Sequence, residues 1–593
     1  MVVFAARYGY SPLIVMLHVA QVAVWCVAVG LLLHGIGIVA GRRAPVLARL
    51  MVTLLGAGAS SLYLLILIGS AVTNEAWGWS VSVDLAQEYA SSLPAIIGNL
   101  PFSRAWLYAG GLLYAAAQSA MLFGWWLASP SFVAPGTATS LEHPERAIGR
   151  ARGAAVRSFL PFAGVLLAVI FVLVARSSAR AAPEPFTALL TAPGLPDPHQ
   201  ARARNARARR EYALRAATFD HRNVILIFSD ALRADHTSVY GYRRRTTPFL
   251  DRLAATGQLR RVKLALSTCS FTACGVLSTL ASRDTGVLEP GSLKLHDVLH
   301  DRGYRVHFIA STDNSSWYTL RLHYGSTVDY FFDGFNSKRF PLNDDRSIVE
   351  GLDAVPDASG PAFFFFFLSS TTSLGTRHGE FQRWLPAAVD LGTDPQAVQS
   401  LMNAYDNGIL EADHTIETIF QRLDQKGYLA NSLVVILGDH GEGFGEHGHF
   451  AHTKYLYQEV LHIPLLIYDE SAATYRNLDF ASQSDIAPTI LDRLGLPIPA
   501  TWQGRSLLSE PPKTFSTHWT DRGRPWYAVV YRDGGKVYKY LYQSRWGTLV
   551  EELYELRSDP TERRNLMLSA GAPAGVLSVV RRKAAETFPS TSR

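Results

Sequence analysis

SLVVILGDHGEGFGEHGHFAHTKYLYQEVLHIPLLIY, residues 432–468, is the stretch on which the fold turns. Leu433 to Leu437 is an unbroken apolar run rich in β-branched residues, the pattern of a strand buried on both faces. The run stops at Gly438, and Asp439 and His440 follow at once. A glycine-rich loop then carries His447, His449 and His452. Polar side chains delivered at the carboxyl end of a buried strand are how open α/β sheets build sites. An adjacent Asp-His pair, further His and acidic residues nearby, and glycines that let the backbone turn tightly together point to a metal site.

The chain has 593 residues, enough for two or more domains. Hydrophobic residues make up 48%, yet long stretches are charged and polar, so a membrane part is expected to sit beside a soluble part. The net charge of +6 is modest and the Arg residues cluster, which gives no ground for nucleic-acid binding. Cys26, Cys269 and Cys274 are too few for a disulfide framework, and Cys26 lies inert in an apolar run.

Four apolar stretches, 12–40, 50–73, 105–128 and 158–175, are each long enough to span a bilayer, which takes roughly 20 residues. The first is too long, and followed by too many others, to be a cleaved signal peptide. Residues 83–100 leave a fifth crossing open. Loop charge sets the orientation. Arg42, Arg43 and Arg49 in the first loop and Arg146, Arg150, Arg152 and Arg157 in the third place these loops in the cytoplasm. Both termini then lie outside. Residues 179–218 form an Arg-rich linker, read either as a juxtamembrane helix on anionic headgroups or as a solvated connecting helix.

The soluble part opens with NVILIFSDALRADHTSVYGYRRRTTPFLDRLA (223–254), a buried strand from Asn223 to Phe228 with Asp230 at its end. LSTCSFTACGVLSTLASR (266–283) places Thr272 before a helix-like run, where backbone N–H groups and the helix dipole favour an anion. Taken alone, such a Thr is a preferred helix cap. PAFFFFFLSSTTSLGTRHGEF, with five consecutive Phe, reads as a second strand buried on both faces, followed by a polar loop with His378. Residues 396–426 have the spacing of one amphipathic helix, and 515–556 read as a small antiparallel sheet turning at Asp533-Gly534-Gly535. The last 20 residues read as disordered or weakly helical.

From about residue 220 to 570 these segments resemble the alkaline-phosphatase-like sulfatase superfamily, which includes sulfatases, lipid A phosphoethanolamine transferases and lipoteichoic acid synthases. The resemblance is carried by strand-Asp-LRADH…YG…TTPFLDRLA, by DHGEGFGEHG…HTKYLYQEVLHIPLLIY, by D-x-x-P-T with GRSLL in 482–508, and by the closing YELRSDPTERRNLM. It implies a transmembrane helical domain (1–178), the linker, an α/β/α sandwich catalytic domain (219–510) and a C-terminal subdomain and tail (511–593). It implies a metal site of Asp230, Asp439, His440 and the Thr272 oxygen, with His452, Lys454 and His378 on the substrate. Ser270 and Thr268 remain register alternatives to Thr272. Sulfatases usually show two consecutive Asp after the first strand, whereas here Ala231 follows Asp230. Sulfatases also use a Cys or Ser in a C-x-P-x-R context, and neither Cys269 nor Cys274 has one. A Thr nucleophile is what the membrane phosphotransferases have. Their nearby disulfide makes a Cys269–Cys274 bridge an open expectation. His447 and His449 have no counterpart and are read as loop surface.

The resemblance therefore implies one divalent cation, Zn or Mn ahead of Ca or Mg, and transfer of a phospho-headgroup. The donor is a phospholipid and the acceptor a lipid or glycan of the cell envelope. The protein would sit in a bacterial-type inner membrane, multi-pass, with its catalytic domain extracytoplasmic. The relatives of this kind typically have five spans against the four read here. Two rivals stay open: hydrolysis within the same superfamily, and a non-catalytic lipid sensor with the same fold.

Overall fold

The computed structural model of the protein describes residues 206–212, 218–284, 292–314, 320–389, 394–470, 475–520, 526–545, 548–568 and 571–588. The four stretches expected to span a membrane lie outside the described residues, and no helix among the described residues is long and apolar enough to cross one.

Seven strands form the main sheet: β1 (Asn223–Ser229), β2 (Leu259–Arg261), β3 (Arg305–Ala310), β4 (Tyr330–Phe332), β5 (Ala362–Leu368), β6 (Ser432–Gly438) and β7 (Leu465–Tyr468). Their order is β2-β7-β6-β1-β5-β3-β4. From β6 to β4 the strands run parallel, while β7 is antiparallel to both β6 and β2. The apolar runs singled out in the sequence are the central strands, and every residue of β1, β5 and β6 is buried.

Alternation along each strand splits these residues between two cores. Val224, Leu226, Phe228 and Phe365 pack with Val276, Leu277 and Leu280 of α2 (Thr272–Ala281). Ile225, Ile227, Phe364 and Phe366 pack on the other face with Phe249 and Leu250 of α1 (Pro248–Ala255) and with Ile416, Ile419 and Leu423 of α3 (Pro395–Gln425). The result is the expected helix–sheet–helix sandwich. Helix α3 starts where the Asp394 side chain accepts from the Gln396 and Ala397 N–H groups, with Pro395 at its first position.

A second sheet has four antiparallel strands, β8 (Phe515–Trp519), β9 (Tyr527–Asp533), β10 (Lys536–Arg545) and β11 (Thr548–Glu555). The tail departs from expectation: Ala574–Thr587 is an ordered helix, α4. Its Val576, Val580 and Ala584 form an i, i+4, i+8 stripe that packs on Val529, Tyr540 and Leu553. Residues 206–212 are helical and rest on the α/β domain, with Arg209 bidentate on Asp301 (2.7 and 2.9 Å) and the Tyr212 hydroxyl donating to the Pro497 carbonyl (2.8 Å).

Candidate metal and nucleophile site

Parallel pairing in register brings the site together. Ser229 lies opposite Gly438, so Asp230 and Asp439 leave adjacent strands side by side at the carboxyl edge. Asp439 is fully buried. Its Oδ1 accepts from the Ala231 N–H (2.9 Å) and the His440 N–H (2.8 Å). Its Oδ2 is also buried but accepts no hydrogen bond, and lies 3.4 Å from His440 Nε2. Ala231, the residue that stands where sulfatases carry a second Asp, has φ of 57°. That left-handed conformation is held by its N–H on Asp439 and by the Tyr405 hydroxyl, which donates to the Ala231 carbonyl at 2.6 Å.

His440 is fully buried, and its Nδ1–H donates to the Gly441 carbonyl (2.9 Å). The lone pair of Nε2 therefore faces Thr272 Oγ1 at 3.2 Å and Asp230 Oδ1 at 3.7 Å. Burial lowers the His440 pKa and keeps the ring neutral. Burial, with the charges of Asp439, Glu442 and Asp345, pushes the Asp230 carboxyl well above the usual range, against a hydrogen bond from Thr272. Asp230, Asp439 and His440 each offer a ligand atom within 4.8 Å of the others, the one such group among the described residues. An orphaned carboxylate oxygen, a neutral imidazole with its lone pair inward and a second carboxylate fit a divalent cation.

Thr272 opens α2 at its first helical residue, so the helix begins before the Gly275 run in which the sequence placed it. The Thr272, Ala273 and Cys274 N–H groups are the unpaired first-turn donors of such a helix. Close packing fixes that end: a Cβ on Gly275 would stand 2.3 Å from the Asp439 carbonyl oxygen. Cys269 and Cys274 are joined by a disulfide around Thr272. Of the register alternatives, the Ser270 and Thr268 hydroxyls are buried without hydrogen-bond partners.

His452 stacks beside His440, ring centroids 4.1 Å apart, with Nδ1 3.2 Å from Glu442. Burial opposes its charged form, but Glu442 and Asp439 outweigh burial and raise its pKa. The Lys454 N–H bonds the His452 carbonyl, and Lys454 is half-buried. His378 lies in a pair of carboxylates, its N–H and ring on Glu411 and its Nε2 3.3 Å from Asp344. Burial raises the Glu411 pKa. His447, read as loop surface, has its ring stacked on Tyr457 at 3.9 Å, with nitrogens on Glu459 (3.0 Å) and the Glu562 carbonyl (3.1 Å). His449 stacks on Tyr455 at 4.5 Å.

Several supports gave no signal of their own in the sequence. Gln483 donates to the Gly438 and Asp439 carbonyls (3.0 and 2.7 Å) and accepts from the Thr268 N–H (2.9 Å), bridging the two halves of the site. Ser267 Oγ donates to the Asp439 carbonyl (2.6 Å), and His518 Nδ1–H holds the Ser267 carbonyl (2.7 Å). Arg233, in the LRADH segment, reaches the Glu442 carbonyl (2.8 Å) and the Glu446 carboxylate (2.7 Å) of the glycine-rich loop. The buried polar residues of α3 (Tyr405, Asp406, Asn407 and Glu411) look like one amphipathic stripe in sequence but serve as anchors for the edge loops.

Residues 222–496 match the profile of the sulfatase family, and residues 445–576 match the N-sulphoglucosamine sulphohydrolase C-terminal profile. Arylsulfatase K of Bos taurus is 30% identical over 169 residues, 26% of this chain and 31% of that protein. The phosphatidylethanolamine transferase Mcr-1 of Escherichia coli is 25% identical over 244 residues, 39% of this chain and 44% of that protein. The chain thus spans less than half the length of either relative. The zinc complex of the C-terminal periplasmic domain of EptC from Escherichia coli superposes with a TM-score of 0.43 at 18% identity, covering 52% of this chain and 93% of that domain.

Proposed function

We propose, from the premise that residues 222–496 form a sulfatase-family domain, that this chain is a membrane-anchored, metal-dependent phosphotransferase. It moves a phosphoethanolamine or phosphoglycerol headgroup from a phospholipid to a cell-envelope lipid or glycan through Thr272. The division into a transmembrane region (1–178), linker, catalytic domain (219–510) and C-terminal subdomain belongs to the same proposal, as does an extracytoplasmic catalytic domain at the inner membrane. The observation that carries it is the Thr272 hydroxyl, seated at the start of α2 and 3.2 Å from His440 Nε2.

Asp230, Asp439, His440 and the Thr272 oxygen would hold a divalent cation, Zn or Mn, which supplies positive charge to the phosphoryl oxygens and lowers the pKa of a bound hydroxyl. The first-turn N–H groups of α2 orient the phosphate. The Thr272 hydroxyl gives its proton to solvent, its oxygen forms the bond to phosphorus, and the bond from phosphorus to the diacylglycerol oxygen breaks. His452, kept protonated by Glu442, gives its proton to that leaving oxygen. Lys454 adds a point charge to the phosphate. In the second half, the acceptor hydroxyl gives its proton to the now neutral His452 as its oxygen takes the headgroup, the Thr272–phosphorus bond breaks, and the Thr272 oxygen regains a proton from solvent.

Peptide mass spectrometry of Thr272, after incubation of the full chain with phosphatidylethanolamine or phosphatidylglycerol, tests this reading. A headgroup adduct on Thr272 supports it and names the donor. A chain that binds metal and releases headgroup to water without an adduct acts as a hydrolase, the reading favoured by its 30% identity to arylsulfatase K. A chain that neither binds metal nor forms an adduct leaves the sensor.

A further inference from the structure

The edge of the sheet that bears Asp230 and Asp439 also carries an exposed apolar and basic rim. Strands β4 and β5 run parallel to β1, so the loops after Phe332 and after Leu368 rise from that same edge. The two loops are tied together, the Thr376 N–H donating to the Asn343 carbonyl (2.8 Å) and Asn343 Nδ2 to the Leu374 carbonyl (3.3 Å). They also touch the site, where the Thr371 hydroxyl donates to the Asp230 carbonyl.

Among the described residues the large exposed hydrophobics are Phe335 (65% exposed), Leu385 (67%), Val389 (40%), Leu549 and Leu568. The first three all lie in these two loops. Single apolar residues scattered on a surface need no explanation, but three on the loops of one sheet edge do. Between them stand exposed Lys338, Arg339 and Arg383. Residues 334–341 and 381–389 contain no acid. The acids next to the first loop are already engaged, Glu350 by Ser337 and the Lys338 N–H, and Asp344 by Arg346. Trp384 lies under the guanidinium of Arg244 at 5.3 Å, whose own charge is met by Asp406 at 2.7 Å. Apolar side chains interleaved with exposed cations on one edge, of which Arg339 also faces Glu350, complement an anionic lipid surface: carbon enters the headgroup boundary and cations meet phosphate. A protein partner would more often bring acids and recessed pockets than this mix of protruding apolar tips and cations.

We propose that loops 334–341 and 381–389 dock on an anionic bilayer, with Phe335, Leu385 and Val389 entering its surface and Lys338, Arg339 and Arg383 on lipid phosphates. The inference rests on the proposed lipid substrate only for its purpose, which is to hold the Thr272 edge against the headgroups it would use. Contact with the bilayer itself is independent of the chemistry.

The test is hydrogen exchange of the two loops in the full chain, in nanodiscs of phosphatidylcholine alone and of phosphatidylcholine with phosphatidylglycerol. The loops are expected to be protected in the anionic discs and to lose that protection at high salt. Two loop variants, F335S/L385S and K338E/R339E, should lose protection while keeping their melting temperature, with each lost cation weakening association about five-fold. Equal exchange in both discs overturns the proposal. So does equal protection in a neutral detergent micelle, which assigns the loops to another part of the protein. The two readings fail separately: protected loops without a Thr272 adduct sink the chemistry and leave the docking, and an adduct with unprotected loops does the reverse.

Discussion

The two sheets place their polar groups in opposite ways. In the seven-stranded sheet the interiors of β1, β5 and β6 are apolar, and the candidate metal ligands Asp230, Asp439 and His440 stand beyond the strand ends. In the four-stranded sheet polar residues lie inside the strands. Lys539 of β10 is fully buried, pairs with Glu562 at 2.6 Å and donates to the Leu456 carbonyl at 2.7 Å. His518 of β8 is fully buried and holds the Ser267 carbonyl. The first sheet is a platform whose edge can carry reactive groups because its packing needs none of them. The second is a brace whose buried polar groups reach across to the segments that shape the site: Ser267, the Leu456 carbonyl, the Gln458 side chain and, through Glu562, His447. Changes at the first edge should therefore remove chemistry without unfolding, and changes inside the second should unfold before they touch chemistry.

The largest effect is expected at the platform edge. T272A should abolish the adduct, and D439N should lower turnover by on the order of 10⁴ and weaken metal binding, as read by metal titration, with little change in melting temperature. Unfolding of D439N together with the metal would erase the distinction between edge and brace. In the brace, K539A should cost about 3–5 kcal/mol in denaturant unfolding, because it leaves Glu562 buried without its cation. The apolar double variant K539M/E562L should recover most of that, since it removes both desolvated charges. A K539A protein that stays stable but loses metal would show that the brace takes part in the chemistry.

Gly275 sits between the two regimes. G275A should cost about 1–3 kcal/mol, because its new Cβ meets the Asp439 carbonyl, and should slow adduct formation about 100-fold by moving Thr272. The smallest effect concerns pH. Burial holds His518 down at about 3 and His296 down at about 4, so both are neutral in the fold. The unfolded chain takes up these protons near the ordinary value of about 6.5. Their contribution is present above that pH, is lost as pH falls through about 6 to 4, and levels off below the folded values. H518N should flatten the acid limb of the stability curve by up to about 1.4 kcal/mol per pH unit, measured by unfolding across that range. An unchanged limb would mean that His518 is charged or exposed in the folded protein.

The three apolar runs that became β1, β5 and β6, the long helix and the antiparallel hairpins were legible because each is a local pattern with its own period. Asp230, Asp439 and His440 stood out because they follow such runs directly, whereas Thr272 stood out only through the family resemblance. The α4 stripe of Val576, Val580 and Ala584 was present in the tail but interrupted by charge, and it is decided by the sheet it packs on. His447 is exposed in its loop, as read, but the partners of the loop histidines were hidden for a related reason. Nothing near His447 in sequence announces Tyr457 or Glu562, and it is the fold that makes them its neighbours.

By itself the sequence determined which segments must be buried, where each ends, and which polar residues stand at those ends, because burial on both faces demands continuous apolar runs and leaves polar groups only at their limits. The tertiary structure alone decided that Ser229 lies opposite Gly438, that Gln483 bridges Asp439 to Thr268, and that Asp439 keeps one oxygen without a partner. Strand register, long-range hydrogen bonds and the orientation of a buried carboxylate are set by residues tens to hundreds of positions apart, and no local pattern encodes them.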